Sequence, residues 1–189
     1  DGSVLVGLSN VSSSGPGAGD EAFRWTAAEG MQGLRDFTGG PINSAAFGVS
    51  GDGSVIVGRA QGSDGIDAFR WTASEGMQPF TDLPGGGTAD SARAVSSDGA
   101  AIVGDRDTDS GSEAFRWTAA GGMQGLGDLS GGIFSSSATD ISGDGSVVVG
   151  QSWSGAGPQA FRWTSASGIE ALPDLPGGDT FSYAMATSG

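Results

Sequence analysis

Three side chains that carry much of enzyme chemistry are missing from this 189-residue chain, which has no cysteine, no histidine and no lysine. Without cysteine there is no disulfide framework and no thiol chemistry. The common general bases, nucleophiles and zinc ligands disappear with the same three absences. Positive charge is scarce, since eight Arg face 22 acidic residues for a net charge of −14. Nucleic-acid binding rests on neutralising phosphates, so this balance argues against it, and equally against an anionic membrane surface. No apolar run approaches the ~20 residues of a membrane span. The charge suits a soluble extracellular protein, because it bears on solubility and association rather than on fold. The first residue is Asp1, so any signal sequence is expected to have been removed or to lie upstream.

Glycine is plentiful, at 37 residues against 7 Pro. With regular apolar spacing between the glycines and no long helical pattern, this reads as turn-rich all-β structure. The organising feature is a heptamer, Glu113-Ala114-Phe115-Arg116-Trp117-Thr118-Ala119, whose other copies start at Glu21, Asp67 and Gln159. Trp25, Trp71, Trp117 and Trp163 stand 46 residues apart each time. A fixed period of roughly 20–50 residues marks a solenoid, a propeller or an array. Aligned on Asp-Gly, the single repeat domain divides into units 1–51, 52–97, 98–143 and 144–189, the first being five residues longer between Gly7 and Phe23.

Within the third unit four strands are expected: a at 137–142, b at 100–104, c at 113–118 and d at 123–128. Alternation in c puts Phe115 and Trp117 on one face and Arg116 on the other. Ser142-Gly143-Asp144-Gly145 and 119–122 read as tight hairpins, and Leu83-Pro84-Gly85-Gly86 as a Pro-Gly turn. Four short strands per unit, with an aromatic pair to wedge between neighbours, predict a four-bladed β-propeller, with a β-solenoid as the rival. Residues 3–7 form a b strand and residues 182–187 an a strand, so a closed ring would pair the two and hide both edges. Ala46, Ala92, Ala138 and Ala184 would let the inner strands approach closely. If the four units are a cut from a longer array, the free edges would instead pair with another copy or with further repeats.

The repeat resembles the HAF repeat, a bacterial extracellular repeat named after a His-Ala-Phe tripeptide. The likeness covers the whole chain and rests on three motifs. They are Ser-x-Asp-Gly-Ser-x-x-Val-Gly (50–58, 142–150), Ala-Phe-Arg-Trp-Thr (22–26, 68–72, 114–118, 160–164) and Asp-Leu-Pro-Gly-Gly (82–86, 174–178). The His of the tripeptide is Glu21, Asp67, Glu113 or Gln159 here. The resemblance implies a secreted or surface-exposed bacterial protein and carries no shared enzymatic activity.

Phe23, Phe69, Phe115, Phe161 and the four repeat tryptophans are read as inter-blade core rather than sugar platforms, since every unit has them at one phase. Arg24, Arg70, Arg116 and Arg162 are expected to pair with Asp36, Asp82, Asp128 and Asp174, each 12 residues later, in a structural network. Asp105, Asp107 and Asp109 alternate ahead of Gly111 like the opening of a calcium loop, the one candidate metal site, with a solvated acidic loop as the alternative. Trp153 falls outside the repeat pattern and is a candidate contact for a glycan or protein partner. Asn10-Val11-Ser12 is a glycosylation sequon, expected to be idle in a bacterial protein. Repeat-equivalent acids cannot all be catalytic, and nothing singles out the carboxylate pair a glycosidase needs, so no enzyme is expected.

The four copies differ most in the b–c loops (8–20, 59–66, 105–112, 151–158) and the d–a loops (38–44, 84–90, 130–136, 176–182), which open on one face of a propeller. Loops on a rigid scaffold are where recognition sits. Two functions follow. One is a structural extracellular protein whose partners are copies of itself, in a filament or surface array. The other is a recognition or adhesion module holding a glycan or surface protein on the variable face.

Overall fold

The structure is a computed structural model describing residues 2–12, 19–37, 42–63, 65–82, 90–177 and 181–188. The first sheet holds β1 (Val4–Ser12), β2 (Gly19–Thr26) and β3 (Gly30–Gly33). The second holds β4 (Ser44–Val49), β5 (Val55–Gln61), β6 (Ile66–Thr72) and β7 (Gly76–Pro79), with a 3-10 turn at Phe80–Asp82 after it. The third holds β8 (Ser91–Val95), β9 (Ala101–Thr108), β10 (Gly111–Thr118) and β11 (Gly122–Gly125). The fourth holds β12 (Gly131–Ile141), β13 (Val147–Ser154), β14 (Gly157–Thr164) and β15 (Gly168–Ala171). Each is an antiparallel meander with its strands in sequence order, the layout of a β-propeller blade.

Turn chemistry sets this layout. In the turn between β4 and β5, Ser50 Oγ donates to Asp52 Oδ1 (2.7 Å) and accepts from Val55 N (3.0 Å), while Ser54 N also donates to Asp52 (3.0 Å). Gly53, Gly99 and Gly145 close the three equivalent turns at φ 72°, a left-handed conformation that glycine adopts without a Cβ clash. The inner strands carry a register shift at Ala46/Gly48, Ala92/Ala94 and Ala138/Asp140, and such a bulge increases strand twist.

Three apolar layers lie between consecutive blades. The first joins Ala22 and Leu34 of blade 1 to Ala46, Ile56 and Phe69 of blade 2. The second joins Val57 and Phe80 to Ile102, Phe115 and Trp117. The third joins Val103 and Leu126 to Val148, Phe161 and Trp163. Phe80 meets Phe115 edge-on at 5.6 Å between centroids, a geometry favoured by ring quadrupoles. Near the inner strands Gly51 N donates to Ser97 O, and Ser97 N to Gly143 O, both at 2.9 Å. Blades 2 and 3, and blades 3 and 4, are thus bonded through equivalent atoms.

Several expectations change. Strand d is shorter than 123–128, ending at Gly125, and the third inner strand is longer than 137–142, starting at Gly131. Most of what composition marked as b–c loops is paired strand, as in Asp105↔Ala114 and Gln151↔Ala160. Small polar residues suit loops, yet here the backbone ladder simply continues through them. The turn expected at 83–86 lies outside the described residues.

The ring-closing pair is absent among the described residues. β1 pairs with β2 alone, and no ladder joins residues 182–187 to 3–7. Residues 182–187, expected as a strand, are extended chain without a strand ladder, because no β1 edge lies against them to pair with. Instead Ser182 N donates to Pro158 O (3.1 Å), Ala184 N to Gly150 O (3.3 Å) and Thr139 Oγ1 to Ala184 O (2.6 Å). The terminal segment continues the series, resting on blade 4 where the inner strand of a following blade would rest.

Candidate functional site

On the face of the b–c hairpins, Asp105 and Asp107 lie in β9 and Asp109 in the turn that follows. Asp105 is ion-paired to Arg93 and accepts from Ser137 Oγ (3.1 Å). Asp107 N donates to Asp90 Oδ2 (2.6 Å), and Asp109 is exposed. A calcium loop wraps its ligands around one point, whereas a strand strings them out along a line. Among the described residues no three acidic side chains converge on a point that would hold a metal. The three acids thus lie along a hairpin, where the Asp105 carboxylate is tied to neighbouring strands and Asp109 faces solvent. Burial pushes the Asp90 carboxyl above its ordinary value, and the carboxylates of Asp107 and Asp105 add to the shift.

Trp153 lies in β13 opposite Pro158, not in a loop. Its side chain is 40% exposed, and Ile133 of β12 is also exposed on the same sheet. It is held on a rigid hairpin, since Ser154 Oγ donates to Gly157 O (2.9 Å) and accepts from Ala156 N (3.1 Å). Asn10 donates to Asp20 Oδ1 at 3.3 Å across the first hairpin.

The repeat arginines pair differently from the expected 12-residue spacing. Arg24 reaches Glu29 (2.7 Å), Arg70 reaches Glu75 (2.8 Å) and Arg162 reaches Glu170 (3.7 Å). The third unit has Gly121 where the first two have Glu29 and Glu75, and there Arg116 donates through Nε and Nη2 to Gly145 O of blade 4 (3.2 and 3.1 Å). The reason is the c–d hairpin. It sets Arg24 across from Gln32 and carries residues 35–36 back beside Glu21, at the far end of β2. Asp36 accepts from Asn43 N (3.1 Å), and Asp174 accepts from Ser182 Oγ (2.5 Å) and Gln159 Nε2 (3.1 Å). Burial pushes Asp36 up against the lowering bonds from Ser44 and Asn43. Asp128 is half-buried after β11, and the Asp82 side chain lies outside the described residues.

Sequence reasoning overlooked the first position of the heptamer. Glu21 Oε1 accepts from Arg35 N (3.0 Å), and Glu113 Oε1 from Gly127 N (3.2 Å). Arg35 sits at φ 67° and Gly127 at φ 76°. The acid thus latches a left-handed exit from strand d, and only the shared repeat position of Arg35 and Gly127 hinted at it.

The opposite face carries clefts between blades. One of ≈ 960 Å³ is lined by Arg24, Leu34, Asp52, Arg70 and Trp71, and another of ≈ 680 Å³ by Arg70, Asp98, Arg116, Trp117 and Asp144. Ser50 Oγ and the amide of Ser54 hold the Asp52 carboxyl down to about 2, and Ser142 and Ser146 do the same for Asp144. These turns are structural locks, and they supply no proton donor near neutral pH.

No protein-family model matches the chain, and no curated protein matches it. Among solved structures it is similar to TolB from Acinetobacter baumannii, at 15% identity and a TM-score of 0.63 over 90% of this chain and 40% of that one. It is also similar to a putative TolB from Agrobacterium tumefaciens, at 16% identity and a TM-score of 0.64 over 92% of this chain and 62% of that one. At such identities the likeness shows the fold, a β-propeller, and the chain spans less than two thirds of either protein's length.

Proposed function

We propose that this chain is a non-enzymatic extracellular structural protein whose copies assemble with one another into a filament or surface array. The observation that carries this reading is where the exposed apolar side chains lie. Leu5, Leu8 and Met31 are exposed on blade 1, and Leu175, Phe181 and Met185 at the other end of the series. Large exposed apolar patches mark interaction sites, and unpaired strand edges are templates for another chain. The lack of cysteine, histidine and lysine supports the non-enzymatic half of the proposal, and the resemblance to HAF repeats supports the location outside the cell. Electron microscopy of the purified chain, with calcium and again with chelator, tests it. Ordered fibres or sheets in both buffers are expected, and discrete single particles at every concentration would refute it.

A second reading is favoured by Trp153. A half-exposed tryptophan on a rigid hairpin, with Ile133 exposed on the neighbouring strand, is a surface for a glycan or a protein loop. Trp153→Ala that abolishes binding on a glycan array while leaving particle size unchanged would favour recognition over assembly.

A further inference from the structure

We infer that copies join head to tail by repeating the chain's own blade-to-blade interface, with blade 1 of one copy packing on blade 4 of the next. This rests on the proposal of self-assembly and names the surfaces and their polarity. The partner is a second copy of this chain.

The three internal interfaces are the template. In each, the later blade contributes Ile56, Ile102 or Val148 from its second strand, and Phe69, Phe115 or Phe161 from its third. All six are fully buried. The equivalent wall of blade 1 consists of Leu5, Phe23, Trp25 and Met31. Here Leu5 is 51% and Met31 54% exposed, while Met77 and Met123 pack against their inter-blade layers. The earlier blade contributes Leu34, Phe80 or Leu126 to each interface. Its equivalent in blade 4 is Leu172. Beyond it Leu129 is 8% exposed, whereas Leu175, three residues after Leu172 as Leu129 is after Leu126, is 87% exposed. One end therefore has the wall that accepts an earlier blade, and the other has the wall that accepts a later one.

The backbone repeats the message. A methyl group at Gly58, Gly104 or Gly150 would strike the carbonyl oxygen of Ala45, Ser91 or Ser137, in the inner strand of the same blade. β1 carries the same glycine, Gly7, where a methyl group would meet only the ring of Phe23. The segment that would demand this glycine, once paired, is present at the other end of the molecule. Ser182 Oγ accepts from Ala160 N (3.1 Å), as Ser44 does from Ala22 N and Ser136 from Ala114 N (both 2.9 Å). Residues 182–187 thus already hold the place of a following inner strand. Pairing with β1 of a second copy, Ala184 facing Gly7 as Ala46 faces Gly58, would complete a four-stranded blade. Both unpaired edges would be consumed. The join is heterologous, so each addition leaves a fresh pair of ends.

The test uses the whole chain and two variants at exposed positions, Leu5→Asp and Leu175→Asp, each first checked for a wild-type circular dichroism spectrum and melting temperature. Sedimentation velocity is run across concentration, with added salt to screen the net charge of −14. Wild type is expected to grow with concentration. Each variant alone should stay monomeric, its apparent dissociation constant raised about tenfold or more by a carboxylate buried in an apolar wall. Mixed in equal amounts, the two variants should form a dimer and nothing larger, since each retains the wall that the other lacks. Wild-type assemblies that persist in either variant, or a mixture that stays monomeric, would overturn this join while leaving self-assembly standing. A wild-type chain that stays monomeric at every concentration would overturn both.

Discussion

Phe115 and Phe23 occupy the same repeat position, yet removing their rings should have unequal effects. Phe115 is fully buried, touches Phe80 edge-on and sits in the layer shared with Val57 and Ile102. Truncating such a ring loses its transfer free energy and leaves a cavity, together about 3–5 kcal/mol. Phe23 lies on the wall of blade 1 and is half-buried. With part of the ring already in water, Phe23→Ala should lose about 1–2 kcal/mol. In guanidinium chloride, where slopes for small proteins are about 2–6 kcal/mol per molar, Phe115→Ala should lower the unfolding midpoint by about 1 M and Phe23→Ala by about a third of that. The assay is equilibrium denaturation followed by tryptophan fluorescence, at a dilution where copies do not meet. Equal shifts for the two variants would refute the reasoning, because they would mean that the wall of blade 1 is covered within a single molecule.

Other outcomes follow from the same geometry. Asp52 and Asp144 are held at about 2 in the fold against an ordinary 3.8. Their stabilisation is therefore complete above about pH 4 and lost as pH falls toward 2. Asp36 and Asp90 are shifted up and act in the opposite sense, giving stability below the ordinary value that is lost as pH rises through their folded pKa. Ser50→Ala with Ser142→Ala should flatten the acid limb of a melting-temperature profile, and an unchanged limb would contradict the turn lock. Arg116→Ala should cost about 1–2 kcal/mol in the same denaturation assay through its lost bonds to Gly145 O, against under about 0.5 kcal/mol for the exposed Arg162→Ala. Equal costs would remove the bridge between blades 3 and 4. Gly104→Ala should destabilise by more than about 2 kcal/mol because its methyl meets the Ser91 carbonyl. Gly76→Ala, left-handed but facing open space, should cost about 1 kcal/mol, and a reversed order in thermal melts would contradict the strand packing.

The blade was legible because its determinants are local and repeat. A 46-residue period, alternation around Phe115-Arg116-Trp117 and Asp-Gly turns each act within one unit. The b–c hairpins were misread because Gln151-Ser-Trp-Ser and Asp105-Arg-Asp-Thr have loop composition, whereas the ladder is decided by the strand opposite. The arginine partners were misread because a separation of 12 residues does not say at which end of a hairpin a side chain emerges. Glu29 is close to Arg24 across a turn, and Asp36 has been carried past it. The exposed ends were invisible to composition. Leu5 looks like Ile56 and Leu175 like Leu129, and only their surroundings differ.

The absence of cysteine makes one measurement especially direct. In the first internal interface a methyl group at Gly62 would lie 3.7 Å from the ring of Phe37. The equivalent positions at the free ends are Val11 and Leu175. Chains carrying Val11→Cys and chains carrying Leu175→Cys would be mixed, treated with a short bis-maleimide, and analysed by mass spectrometry. Head-to-tail joining predicts one dominant product linking Val11→Cys of one chain to Leu175→Cys of another. Products linking only like to like, or no cross-linked dimer at concentrations where wild type assembles, would contradict it.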